Sequence, residues 1–182
     1  FIDDCITKGK DYYNGGARYN TTYIRCTGLG TTTDCFATIK EHVFEEKRYT
    51  MDELLTAVAA NFEGHEKMRQ YIMNRTPFFG NDDEYADTIA VKVYEDLVAA
   101  IKGHPNTRGG ETQLNMLSTT CHNYFGSVCH ATPNGRLAHF AISDGTSPAH
   151  GADTNGPTSV IKSLGKLDQT QSGGTLLNMR FI

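Results

Sequence analysis

No stretch of the 182 residues stays apolar for the about 18 positions that a membrane-spanning helix needs, so a membrane is not expected as partner. Basic side chains are not in excess either. The chain carries 17 Lys and Arg against 21 Asp and Glu, a formal net charge of −4, and that balance argues against nucleic acid or an anionic lipid surface. Cys5, Cys26, Cys35, Cys121 and Cys129 form no Cys-x-x-Cys pair and are odd in number. Reduced thiols and a cytoplasmic setting are therefore expected rather than a disulfide framework. No secretory leader pattern opens the chain. Internal repeats and linkers are missing too, so one domain covering residues 1–182 is expected. Gly15-Gly16 and Gly109-Gly110 lack the Lys-Ser/Thr that follows in a phosphate loop, and each pair reads as a helix end or a close backbone approach. The first residue is Phe1 rather than Met, and Ile182 falls inside an apolar strand pattern. A piece of a longer polypeptide is expected.

What is present is concentrated in Ala131–Asn178, which is rich in Gly, Pro, Asn, Asp, Ser and Thr without being of low complexity. Thr132-Pro133-Asn134-Gly135-Arg136 is a tight-turn signal, because Pro133 presets φ and Gly135 accepts positive φ. Ser147-Pro148 and Asp153-Thr154-Asn155-Gly156-Pro157 mark two more turns. A helix over Thr158–Asp168 follows, with Thr154 or Asn155 as cap and Pro157 in its first turn. Gly173-Gly174 then precedes a strand over Thr175–Phe181. A loop of this length is uncommon and usually either functional or disordered.

Upstream, Phe1–Tyr13 reads as a helix closed by Asn14-Gly15-Gly16, and Ala17–Thr27 as a strand. A helix over Asp34–Phe44, capped from Thr31–Thr33, presents Phe36, Ile39, Val43 and Phe44 at helical spacing. Thr50-Met51-Asp52-Glu53 is a capping box, with Leu54, Leu55, Val58 and Phe62 as the buried stripe of its helix. His65–Asn74 is helical and stops at Thr76-Pro77. Asn81-Asp82-Asp83, with Glu84, starts a helix through Lys102 whose buried face is Ile89, Val93, Leu97 and Ile101. Glu111–Leu117 reads as a second strand, continued as a strand by Ser118–Gly126. The order of strand, helices, strand, loop, helix and strand is an α/β pattern.

Few groups suggest chemistry directly. Cys121-His122 and Cys129-His130 could supply zinc ligands. Neighbours on a strand face opposite ways, though, so structural roles are expected and no metal is assigned. Asp144 reads as a turn residue, and Arg18 and Arg136 as residues that pin loops by bidentate hydrogen bonds.

Thr-Pro-Asn-Gly-Arg at 132–136, Asp-Gly-x-Ser-Pro at 144–148, Gly-Ala-Asp-x-Asn-Gly-Pro-Thr at 151–158 and Gly-Gly-Thr-Leu-Leu-Asn at 173–178 follow one another in a specific order and spacing. In this the chain closely resembles the glycyl radical enzymes of the pyruvate formate-lyase-like family. The stretches GKDYYNGGARYNTTYI, ANFEGHEKM, FGNDDEYAD and TTCHNYFG agree, so the resemblance runs over nearly the whole chain. It implies part of a ten-stranded α/β barrel, from that barrel's C-terminal half. The family's thiyl-forming Gly-Cys-Val-Glu motif and its Arg-Val-x-Gly-Tyr radical motif are both missing from these residues. The chain is therefore expected to lie between the two loops, to contain no catalytic residue, and to be inactive alone.

Within the family, the branch that dehydrates trans-4-hydroxyproline is the better match, on GKDYYNGGARYN, FGNDDEYAD and TTCHNYFG. In that branch the first Thr of Thr-Thr-Cys-His contacts substrate, a role that passes here to Thr119, while Ser118 stands where Pro is expected. The resemblance further implies a radical elimination of water giving a cyclic imine and a small-molecule substrate. It implies no cofactor bound at the site, a glycyl radical installed by a separate S-adenosylmethionine activating enzyme, an anaerobic setting and a homodimer. Glycerol, propane-1,2-diol, choline or an arylacetate are alternative substrates, and a non-catalytic chain retaining the fold is the alternative outside enzymology.

Overall fold

The computed structural model describes residues 2–179. In chain order it contains α1 (Asp3–Lys8), β1 (Thr22–Arg25), α2 (Leu29–Thr38), α3 (Met51–Ala59), α4 (Glu66–Arg75), α5 (Glu84–Ile101), β2 (Thr112–Met116), α6 (Cys121–Val128), α7 (Pro157–Gly165) and β3 (Ser172–Thr175). A π-helical segment, Ile39–Glu45, continues α2. The strands form one parallel sheet in the order β1-β2-β3. Parallel neighbours need long crossovers, and these are the helical segments between the strands. Between β2 and β3 the register slips: Leu114 faces Ser172 but Met116 faces Thr175. The extra residue falls at Gly173-Gly174, where the Tyr23 ring lies so close that a Cβ on Gly173 would meet it at 1.9 Å.

Leu114 and Met116 alternate onto the covered face of β2, where α5 and α7 pack. Leu29, Phe79, Ala86, Ala90, Tyr94, Val160, Leu164 and Leu167 complete this core. A second cluster, Leu54, Ala57, Phe62, Ile72 and Ala131, lies between α3, α4 and the start of the long loop. The Thr50–Glu53 capping box forms as expected, but Leu55 is exposed and Ala57 takes its place in the stripe. On α5 the fully buried face is Ala86, Asp87, Ala90 and Tyr94, rotated from the expected one. Val93, Leu97 and Ile101 flank it, because the small alanines let α2 and α5 approach closely.

Other boundaries differ for identifiable reasons. α1 stops at Gly9 (φ +60), before Tyr12–Asn14, which forms a 3-10 turn. β1 is shorter than Ala17–Thr27. α2 begins at Leu29, not Asp34, and Gly28 (φ +89) replaces the expected Thr cap. Its first amides are served from far along the chain: Gly28 N–H donates to the Ser143 carbonyl and Thr31 N–H to the Ser143 hydroxyl, both at 3.0 Å. α7 starts after Gly156 with Pro157 in its first turn and no side-chain cap. Thr154 and Asn155 instead donate their N–H groups to Asn81 Oδ1. β3 begins at Ser172, and the end of the expected Thr175–Phe181 strand lies outside the described residues. The expected strand over Ser118–Gly126 is the helix α6, because Thr119 turns left-handed (φ +52) and Cys121 N–H closes onto the Ser118 carbonyl.

Asp34 is fully buried on α2. One oxygen accepts Phe79 N–H at 2.9 Å and the other has no partner. Burial therefore holds this carboxyl well above the usual carboxylate range, against the opposing pull of the Phe79 amide. The folded chain binds this proton more tightly than the unfolded chain, where the group titrates near about 4. Its contribution is thus most favourable below about pH 4 and declines as pH rises toward the folded value. Asp34→Asn is expected to flatten that decline and to stabilise the protein at neutral pH. Denaturant midpoints at acidic and neutral pH check it, and an unchanged pH slope would refute it.

Candidate active site at the strand carboxyl ends

Ligands of parallel α/β sheets bind beyond the carboxyl ends of the strands. At that end of this sheet the chain leaves β1 through Thr27-Gly28, β2 through Ser118-Thr119-Thr120, and β3 toward Asn178. Residues 143–147 lie across all three exits. Thr27 Oγ1 donates to the Ser143 carbonyl (3.1 Å), Thr146 N–H to the Leu176 carbonyl (3.2 Å), and Asn178 N–H to Ser147 Oγ (3.1 Å). Gly145 takes φ +50 there, wedged between the carbonyls of Met116 and Leu176.

Asp144 is more than a turn residue. It is 4% exposed and accepts hydrogen bonds from the Ser118 hydroxyl on one oxygen and the Asn178 side-chain amide on the other. His122 Nδ1 lies 3.5 Å from the first of these oxygens. Asp144 and Asn178 stand within recognisable motifs, but no spacing rule joins residues 118, 122, 144 and 178, and sequence reasoning missed the group they form.

Thr119 sits at the end of β2, exposed, with φ +52. Left-handed backbone is an outlier for a β-branched residue and costs on the order of 1–3 kcal/mol. Its Oγ1 donates to the Ser118 carbonyl at 2.7 Å, and its lone pairs have no donor among the described residues. Thr120 is exposed beside it, while Ser118 is buried. Exposure here follows from the turn rather than from strand alternation.

Arg136 pins the long loop as expected. Its guanidinium donates to the carbonyls of His130, Leu137 and Phe140 and to the Thr132 hydroxyl. Arg18 makes an exposed pair with Asp4 at 2.9 Å. A cavity of about 200 Å³ lies between the loop, α2 and α4, lined by Asp34, Arg69, Met73, Phe78, Arg136 and His150 among others. All five cysteines are free thiols, and burial pushes Cys35 up to about 11 and also raises Cys26. Among the described residues, the group with ligand atoms close enough to hold a metal ion is Glu41, His42 and Glu46, not the Cys-His pairs. Both ring nitrogens of His42 are already engaged, with Glu46 at 2.9 Å and the Thr76 hydroxyl at 2.8 Å. No helix among the described residues is long and apolar enough to cross a membrane.

Residues 1–126 match the pyruvate formate lyase-like family model, and residues 142–182 the glycine radical model. The chain is 53% identical over 180 residues to trans-4-hydroxy-L-proline dehydratase of Clostridioides difficile, a match covering 99% of this chain and 23% of that protein. It is 44% identical over 144 residues to isethionate sulfite-lyase of Bilophila wadsworthia, covering 79% and 17%. The crystal structure of the C. difficile hydroxyproline dehydratase with trans-4-hydroxy-L-proline bound superimposes with a TM-score of 0.92 at 52% identity, over 95% of this chain and 22% of that one. The chain thus spans about a quarter of the length of the dehydratase it matches. It belongs to the pyruvate formate lyase-like family of glycyl radical enzymes, and its three parallel strands are part of that family's α/β barrel.

Proposed function

We propose that the enzyme containing this chain eliminates water from trans-4-hydroxy-L-proline to give a cyclic imine. The observation that carries this reading is Thr119, an exposed β-branched residue held in left-handed backbone at the carboxyl end of β2. Strain of this kind persists where the surrounding structure enforces it, and it clusters at functional sites. The 53% identity to a relative named for this substrate supports the assignment.

In the proposed reaction a thiyl radical removes hydrogen from the carbon next to the hydroxyl-bearing carbon. The C–O bond then breaks, hydroxide leaves with a proton as water, and the product radical takes hydrogen back from the thiol. The radical Gly and the thiyl Cys lie outside this chain. A separate S-adenosylmethionine activating enzyme installs the radical, no other cofactor sits at the site, and the enzyme works anaerobically in the cytoplasm as a homodimer. This chain's part is to bind and orient. Thr119 Oγ1 accepts from the substrate's ring N–H, or donates to its carboxylate or hydroxyl after rotating away from Ser118. The chain alone is inactive, as a partial barrel domain over residues 1–182.

Ser118, in the place where Pro is expected for hydroxyproline dehydratases, favours a second reading: the same elimination on another small hydroxylated substrate, such as glycerol or propane-1,2-diol.

Thr119→Ala in the complete, anaerobically activated enzyme is expected to lower kcat/KM for trans-4-hydroxy-L-proline about 10- to 100-fold, the range for one hydrogen bond to a charged or polar substrate group. Radical content by electron paramagnetic resonance is expected to stay unchanged. Kinetics equal to the parent enzyme would make Thr119 a purely structural residue.

A further inference from the structure

We infer that Ser118 and Asp144 are positioning residues that hold Thr119 in its binding conformation, an inference that rests on Thr119 touching the substrate. Ser118 is 1% exposed, and both functions of its hydroxyl are committed. It donates to Asp144 Oδ1 and accepts Gly145 N–H at 3.1 Å. A hydroxyl has one proton to give, so this pair of bonds fixes its rotamer. Asp144 is held in turn by the side-chain amide of Asn178, which follows β3, on its other oxygen. The side chain that follows β2 is thereby tied to the chain that follows β3.

The consequence falls on the next residue. The Ser118 carbonyl accepts both Thr119 Oγ1 at 2.7 Å and Cys121 N–H at 2.9 Å. One peptide group therefore aims the Thr119 hydroxyl and closes the turn into α6. Backbone strain at Thr119 relaxes unless something opposes it, and the buried Ser118–Asp144 bond holds the residue just before it. Proline, expected at this position from the family resemblance, has no hydroxyl and could restrain the chain only through its ring. In this chain the restraint runs through a hydrogen bond to a carboxylate, so the exact placement of Thr119, and with it substrate preference, depends on Asp144.

The test is a double-mutant cycle in the complete activated enzyme, with trans-4-hydroxy-L-proline as substrate. Ser118→Ala is expected to raise KM about 10-fold with a smaller change in kcat and unchanged radical content. Ser118→Ala combined with Thr119→Ala is expected to be no worse than Thr119→Ala alone, because the first acts through the second. Asp144→Asn, which keeps the side-chain shape, is the second variant. It is read through the same cycle and carries the test if Ser118→Ala does not fold. Full multiplication of the two effects, or unchanged KM in Ser118→Ala and Asp144→Asn while Thr119→Ala is impaired, would overturn the positioning role and leave the substrate contact standing. An unimpaired Thr119→Ala enzyme would remove the contact itself and this inference with it.

Discussion

Gly145→Ala is expected to destabilise the protein by about 2–4 kcal/mol and to abolish activity in the complete enzyme. Two effects add. Positive φ costs alanine on the order of 1 kcal/mol, and Gly145 sits at φ +50. The new methyl would also lie 2.6 Å from the Met116 carbonyl oxygen and 2.8 Å from that of Leu176. Both are backbone atoms at the ends of β2 and β3, and neither can retreat without opening the sheet at the candidate site. Overpacking of this sort costs typically 1–3 kcal/mol beyond the backbone term. Gly151→Ala is the control. Gly151 also has positive φ (+79), but a Cβ there meets nothing within 4 Å, so it carries the backbone cost alone. Denaturant unfolding of the two variants separates the contributions. Equal midpoints would show that the close approach at Gly145 is not there.

Lys166→Ala is expected to cost about 3–5 kcal/mol, the range for stripping the partner from a buried charge. Asp87 on α5 is 0% exposed. Its Oδ2 accepts Lys166 Nζ at 2.8 Å and the Ser163 hydroxyl at 3.0 Å, while Oδ1 has no partner. Removing the ammonium leaves a carboxylate in the core with one hydroxyl to solvate it. Lys166 has a raised pKa, chiefly from its hydrogen bond to Asp87. A raised lysine contributes stability fully below its unfolded value and loses it only in alkali. Lys166 therefore stays charged at neutral pH. Adding Asp87→Asn to Lys166→Ala should recover much of the loss. A single-variant cost under about 1 kcal/mol would place the pair with surface ion pairs.

Lys166 also shows where reading a sequence stops. The residues that start and end helices by local chemistry were legible: the Thr50 capping box, Asp83 ahead of α5, Pro157 in the first turn of α7 and the Thr132–Arg136 turn are all local signals, and all appear. The motif order across 132–178 was sufficient to place the chain in its family. Asp87 gave no such signal. In sequence it is one more acidic residue near a helix start, and its partners are Ser163 on α7 and Lys166 just after it, 76 and 79 positions away. Helix α6 failed for the same reason. Thr-Thr-Cys-His-Asn-Tyr-Phe has the β-branched and aromatic character of a strand, and propensity yields to context. Gly126 packs against the backbone of Phe140 to Ile142, with no room for a Cβ, and nothing near Gly126 in the sequence announces that contact.

The sequence by itself determined the class of fold and the family, because local capping, turn chemistry and motif order are written in neighbouring residues, and the family resemblance in turn pointed to Thr119 as the proposed substrate contact. Tertiary structure alone decided that Ser143 caps α2, that Asp144 is a buried acceptor as well as a turn residue, and that Thr119 stands in left-handed backbone. Each of these depends on hydrogen bonds between segments far apart in the chain, or on packing that only the closed sheet creates, and neither leaves a period or a spacing in the sequence to read.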